Sequence, residues 1–198
     1  MKSHSEIWEQ FRHGDKASLS LIYSEHFHPM FQYGVKFKDD PEFVKDCIQD
    51  VFIQLIRSGH NLKSTTNIRY YLLKALKNAI LKELNKSRKI IFVIDAPVKF
   101  EARFVIENEL AEKENASLRE KALLNALNNL SDRQREIIYL RYECNMDYDQ
   151  ISGLLNIKVD STRKLVFRAI KALREAIEGE MNIPILFLLQ VSPQKYVF

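Results

Sequence analysis

The sequence predicts an all-α protein in which two small helical domains are joined by a linker, the second domain carrying a helix-turn-helix. Three observations lead there. Only 5 Gly and 5 Pro interrupt 198 residues rich in Leu, Ile, Lys, Glu and Ala, a composition that favours helix over sheet. Apolar residues recur at i, i+3, i+4 spacing in successive segments from Ile7 onward. Residues 147–174, DYDQISGLLNIKVDSTRKLVFRAIKALR, set two such patterns on either side of a tight connection at Asn156-Ile157-Lys158. Asn is the residue, after Gly, that best tolerates the left-handed turn such a connection needs.

The elements follow in order. Helical patterning runs through Ile7, Leu19, Ile22, Tyr23, Phe27, Phe31 and Val35, broken at Gly14-Asp15. Asp40 can cap the next helix and Pro41 suits its first position. That helix, about 41–57, buries Val44, Cys47, Ile48, Val51, Phe52 and Leu55. Its other side presents Asp46, Gln49, Asp50 and Ile53, spaced to form one ridge. A polar loop from Gly59 to Asn67 leads to a helix over 67–86, whose apolar side is Leu72, Leu73, Leu76, Ala79, Ile80 and Leu84. These segments make a first domain over 1–86.

Residues 87–106 are less regular and are assigned as linker, with Ile90–Ile94 extended before Pro97. Helix resumes around Glu107–Asn129. Ser131 and Gln134 then form a capping box that opens a helix to about Glu143, and Asp147 caps the first helix of the helix-turn-helix. The second domain spans 107–178. The remaining tail, 179–198, contains the apolar run Ile183–Val191, well short of the ~20 residues that cross a bilayer. A packed or partner-docking tail is expected, and no membrane insertion.

Charge is modest overall, at +4, but uneven. Residues 61–90 hold eight basic groups and one acid, whereas residues 95–120 hold seven acids and four bases. Lys158 to Arg174 holds six basic groups against Asp160 alone. Two basic segments separated by an acidic one suit two polyanion-binding modules on a tether. On the helix over 67–86, Tyr70, Lys74, Lys77, Asn78 and Asn85 gather opposite the apolar side, flanked by Tyr71. Rings interleaved with cations and amides suit single-stranded nucleic acid; the same tyrosines could equally roof the bundle. On the last helix, Thr162, Leu165, Val166, Ala169 and Leu173 share one face, while Arg163, Lys164, Phe167, Lys171 and Arg174 share the other, with Arg168 at its margin. A solvated amphipathic helix is the plainer reading of that charge, but the short helix and turn before it favour DNA. Phe167 either touches a thymine methyl or folds over a neighbouring helix.

Nothing here resembles a catalytic centre. Cys47 and Cys144 show no metal or disulfide spacing, and the amino terminus has no signal-peptide core, so a reducing cytoplasm is expected. The five histidines show no ligand pattern. We therefore expect no enzyme activity, metal, cofactor or small-molecule substrate.

Together the segments resemble the extracytoplasmic-function group of the sigma-70 family, the promoter-recognition subunits of bacterial RNA polymerase. The resemblance covers about residues 10–86 and 107–175. It rests on GDKASLSLIYSEHFHPMFQYGVKF, DCIQDVFIQLI (Asp46–Ile56), NIRYYLLKALKNAILKEL, LSDRQREIIYLRY (Leu130–Tyr142) and the helix-turn-helix. It implies that Asp46, Gln49, Asp50 and Ile53 dock on core polymerase. Ser64, Asn67, Tyr70, Tyr71, Lys74, Lys77 and Asn78 would meet the −10 element, the loop capturing a flipped base. Lys158, Asp160, Ser161, Arg163, Lys164, Phe167, Arg168 and Lys171 would read the −35 element. The implied partners are core polymerase and promoter DNA, with an anti-sigma factor left open. Thr162 stands where the family usually has Val or Ala, which should weaken the core of the turn. The alternative is a stand-alone helix-turn-helix regulator whose first bundle senses a signal or dimerises.

Overall fold

Helices begin where the sequence supplies an oxygen to cap them. In a computed structural model, whose described residues are 3–87, 99–101 and 123–181, the first helix, α1 (His4–Arg12), is opened by a Ser3–Glu6 capping box. Asp15 caps α2 (Lys16–Gly34) through the amides of Ala17 and Ser18. Asp40 accepts from Phe43 N–H and precedes Pro41 at the start of α3 (Pro41–Ser58). Asn67 Oδ1 accepts from Tyr70 N–H at 2.8 Å and caps α4 (Ile68–Ser87). Each cap satisfies backbone donors that the helix itself leaves orphaned. Among the described residues there is no strand.

The chain divides into two units at Val98/Lys99. In the first, α1–α4 pack around Trp8, Ile22, Met30, Tyr33, Ile48, Leu72, Leu73, Leu76 and Ile80, all essentially inaccessible. The six positions expected to be buried on α3 are buried. Gly34 permits the close approach of α2 and α3, since a Cβ there would lie 2.5 Å from Val44 Cγ1. On α2 the inward stripe differs from the apolar pattern. It runs Ser18, Ile22, His26, Met30, Tyr33, whereas Tyr23 is 46% exposed. Tyr23 and Phe27 instead form an aromatic flank, with ring centroids 5.3 Å apart and Tyr23 lying 5.0 Å from Phe52. Two polar residues take the core side: Ser18 Oγ donates to Asp15 Oδ2, whereas His26 packs edge-on to His4 and its buried Nε2 has no hydrogen-bond partner.

In the second unit a helix over 123–128, α5, precedes α6 (Asp132–Ile138), which is opened by the expected Ser131–Gln134 capping box. Here the expected uninterrupted helix to Glu143 is replaced after Ile138 by one π-helical stretch, Tyr139–Glu143. Cys144 N–H reaches back five residues to Tyr139 O. Glu136, Ile137, Ile138, Tyr139 and Leu140 are all buried, and five consecutive buried side chains exceed what one α-helical face can present. Asp147 and Gln150 form a capping box for α7 (Tyr148–Leu155), and α8 (Val159–Met181) completes the unit. Ile90–Ile94, Glu107 to residue 122 and the tail Ile183–Val191 lie outside the described residues. Phe100, assigned from the sequence to the linker, is grouped with this unit and is 1% exposed.

Candidate nucleic-acid interface

The turn between α7 and α8 is set by one residue. Asn156 adopts φ 52°, ψ 47° and its N–H bonds to Ser152 O, which also accepts from Ile157 N–H at 3.0 Å. A left-handed residue at this point satisfies the orphaned carbonyl and redirects the chain. Thr162 is fully buried, and its hydroxyl donates to Lys158 O at 3.2 Å. The polar atom is thus paired while the methyl packs, which offsets the weakening expected from a hydroxyl in the core.

Val166, Ala169 and Leu173 of α8 are buried as expected, and Leu165 is half-buried. Lys158, Asp160, Ser161, Arg163, Lys164, Phe167, Arg168 and Lys171 are all exposed, so the eight form one open surface. Arg163 is steered: it pairs with Asp160 at 3.2 Å and its guanidinium carbon lies 5.8 Å from the Tyr148 ring. Arg141 approaches the same ring at 5.1 Å and donates to Met146 O at 2.7 Å. Sequence patterning missed Arg141 and Tyr148, because their contacts cross from the π turn to α7 and α8. Lys171 is paired with Glu175 at 3.7 Å. Phe167 is 68% exposed, so among the described residues it does not fold over a neighbouring helix. A ring exposed amid cations is open to an apolar contact with a base.

The face of α4 is more enclosed. Asn78 is exposed, whereas Tyr70, Tyr71, Lys74 and Lys77 are half-buried. Lys74 Nζ donates to Tyr70 Oη at 3.4 Å and sits 5.7 Å from that ring. Lys77 lies 5.9 Å from the Phe37 ring. Tyr71 packs on Trp8 with centroids 5.0 Å apart, and burial raises its phenol pKa. It therefore belongs to the roof of the bundle, while Tyr70 remains beside the cations.

The loop before α4 is fastened to α1. Trp8 Nε1 donates to Lys63 O at 3.0 Å, and Arg12 donates to Ser64 Oγ at 3.0 Å. Glu9, held below the usual carboxylate range by the Ser64 hydroxyl and by Arg12, ion-pairs with Arg12 at 2.6 Å. Thr65 Oγ1 accepts from Asn67 N–H at 3.1 Å. Asn67 is thus a helix cap as well as a loop residue. Nothing in the sequence pattern signalled this fastening, because the partners lie more than fifty positions apart.

On α3, Asp46, Gln49 and Asp50 are exposed and Ile53 is half-buried. The ridge continues to Ile56, 56% exposed, which the sequence reading left out although it lies three residues beyond Ile53. Burial and the nearby carboxylates of Glu83, Asp50 and Asp46 push the Cys47 thiol up to about 11, so it is an inert core residue. Neither cysteine forms a disulfide, and both are buried. Among the described residues there is no metal-binding cluster and no helix long and apolar enough to cross a membrane.

Comparison with known proteins identifies the family of both units. Residues 22–90 match the family described as Sigma-70 region 2, and residues 120–173 match Sigma-70, region 4. The two stretches together cover 123 of the 198 residues. The chain is 19% identical to the ECF RNA polymerase sigma factor SigM of Bacillus subtilis (strain 168), over 83% of this chain and 98% of SigM. It is 21% identical to the RNA polymerase sigma-H factor of Pseudomonas aeruginosa, over 87% of this chain and 93% of that protein. The fold is similar to that of CnrH in its complex with the cytosolic domain of CnrY, with a TM-score of 0.60 at 16% identity, covering 90% of this chain and 99% of CnrH. It is also similar to that of RpoE in complex with the anti-sigma factor NepR from Bartonella quintana, with a TM-score of 0.55 at 18% identity, covering 82% of this chain and 96% of that one. With both regions matched in order, relatives that include ECF sigma factors and only helices among the regular elements of the described residues, the protein belongs to the extracytoplasmic-function group of the sigma-70 family.

Proposed function

We propose that the chain binds core RNA polymerase and directs promoter-specific initiation, reading a −35 duplex with α8 and holding a melted −10 element on α4 and its preceding loop. The observation that carries this reading is the open face of α8, where Arg163, Lys164, Phe167 and Arg168 stand exposed behind a left-handed Asn156 turn. Such a helix offers cations to phosphates and a few side chains to base edges.

Unpairing and unstacking bases costs a few kcal/mol per flipped base. Capture of the exposed strand by Tyr70, Lys74, Lys77 and Asn78, with a base taken up at Ser64–Asn67, offsets that cost without a catalytic group. The Asp46, Gln49, Asp50, Ile53 ridge, extended by Ile56, is the docking surface for polymerase. Two tethered DNA contacts strengthen one another through effective concentration. The neighbouring complexes with CnrY and NepR support an anti-sigma factor as a further partner. Work on DNA beside core polymerase places the protein in the cytoplasm.

Run-off transcription with purified core polymerase on fragmented genomic DNA tests this. Discrete start sites sharing two upstream elements are expected. Sequence-specific duplex binding without any polymerase-dependent initiation would instead support the stand-alone regulator.

A further inference from the structure

Lys99–Glu101 is docked on the C-terminal unit, although 21 residues separate it from residue 123. Phe100 is 1% exposed, and its ring lies 6.0 Å from that of Tyr139. Its backbone is held at both polar groups. Phe100 N–H donates to Asp132 Oδ1 at 3.0 Å, and Phe100 O accepts from Arg135 Nε at 2.8 Å. Arg135 is itself fixed by Asp132 and by Asn128 O. A side chain in the core and a backbone gripped by an ion-paired couple are the marks of an anchored residue, not of a strand passing by.

Resting on the promoter-binding reading above, we propose that Phe100 is where the C-terminal unit takes hold of the linker, so that residues 88–99 alone set the tether between the −10-binding and −35-binding helices. Phe100 would then be a specificity-determining residue for promoter spacing. The argument is one of covalent reach. From Ser87 to Phe100 the chain spans at most ~45 Å when fully extended, whereas from Ser87 to Leu123 it could span ~125 Å. At ~3.4 Å per base pair, the longer tether would hardly discriminate between spacings, and the shorter one would. Residues 102–122 join two points of the same unit and so add nothing to that reach.

The test uses the full chain with core polymerase on templates differing only in the −10 to −35 spacing. Four Gly-Ser residues are inserted either after Asp95 or after Asn115. Insertion after Asp95 adds up to ~14 Å of reach, and should lengthen the largest tolerated spacing by up to ~4 base pairs. Insertion after Asn115 should leave it unchanged, and Phe100→Ala should make the two insertions equivalent. Equal shifts from both insertions in the native background, or no shift from either, overturn the proposal.

Amide exchange in the full chain provides a readout independent of transcription. Phe100 N–H should exchange at least tenfold more slowly than in Asp132→Ala, which removes its acceptor and leaves the ring in place. Equal exchange overturns the anchor whatever the transcripts show. A slow Phe100 amide in a chain that initiates nowhere upholds the anchor and sinks the promoter-binding reading together with the spacing role built on it.

Discussion

Replacing Trp8 by Phe tests whether α1 positions the loop proposed to capture a base. Trp8 is fully buried, lies 5.6 Å from the Phe11 ring and 5.0 Å from that of Tyr71, and donates to Lys63 O. Phe keeps a ring in the same place and loses the donor. The lost hydrogen bond contributes about 0.5–1.5 kcal/mol, the low end being favoured because exposed Lys63 can turn its carbonyl to water. The smaller ring leaves a void that costs about 1 kcal/mol. The sum, about 1.5–2.5 kcal/mol, should lower the urea midpoint by about 1 M at a slope near 2 kcal/mol/M. Trp8→Ala should cost about 3–5 kcal/mol and is the less informative variant. The distinguishing readouts are amide exchange across Ser64–Asn67, which should accelerate in Trp8→Phe, and promoter opening by permanganate reactivity, which should slow while −35 binding is retained. Unchanged loop exchange and native opening, in a variant destabilised by the expected amount, would refute the positioning role.

Three further outcomes are expected. Asn156→Ala should cost about 1 kcal/mol by urea unfolding, because Ala is strained at φ 52°, whereas Asn156→Gly should be near neutral. Phe167→Ala should change stability by less than about 0.5 kcal/mol yet weaken binding to −35 duplex in fluorescence anisotropy; undiminished binding would remove Phe167 from the interface. His26 is held below the ordinary imidazole value of 6.5 by burial, with His4 and Arg69 reinforcing that and Glu25 opposing it. Below that value the unfolded chain binds a proton that the folded chain resists, so stability is full above about pH 6.5 and falls as pH drops through and below it. His26→Leu should flatten that dependence in urea titrations between pH 5 and 8.

Local chemistry explains which elements could be read in advance. Asp40–Pro41, Ser131–Gln134, Asp147 and Asn156 each act on neighbours within five residues, so spacing alone revealed them, and the α3 core and ridge followed from one helical period. The inward stripe of α2 escaped because Ser18 reaches the core side through hydrogen bonds to Asp15 and Gln10 and His26 is buried with Nε2 unpartnered, neither of which hydropathy registers. The π stretch at Tyr139–Glu143 escaped because only the run of five buried side chains from Glu136 to Leu140 accompanies it. Phe100 looked like one apolar residue in an irregular run, since the residues that grip it, Asp132 and Arg135, lie more than thirty positions away. The same distance hid the Trp8–Lys63 and Arg12–Ser64 contacts. On α4 and α8, polarity picked out the residues that lie off the buried stripe; the inward turn of Tyr71 against Trp8 depended on how the bundle closed.

Footprinting of one promoter by polymerase reconstituted with a Lys74→Ala, Lys77→Ala double variant tests the division of labour between the two units most directly. The account predicts that protection over −35 persists while thymines of the −10 element stay unreactive to permanganate. Native thymine reactivity, or loss of both signals together, would contradict it.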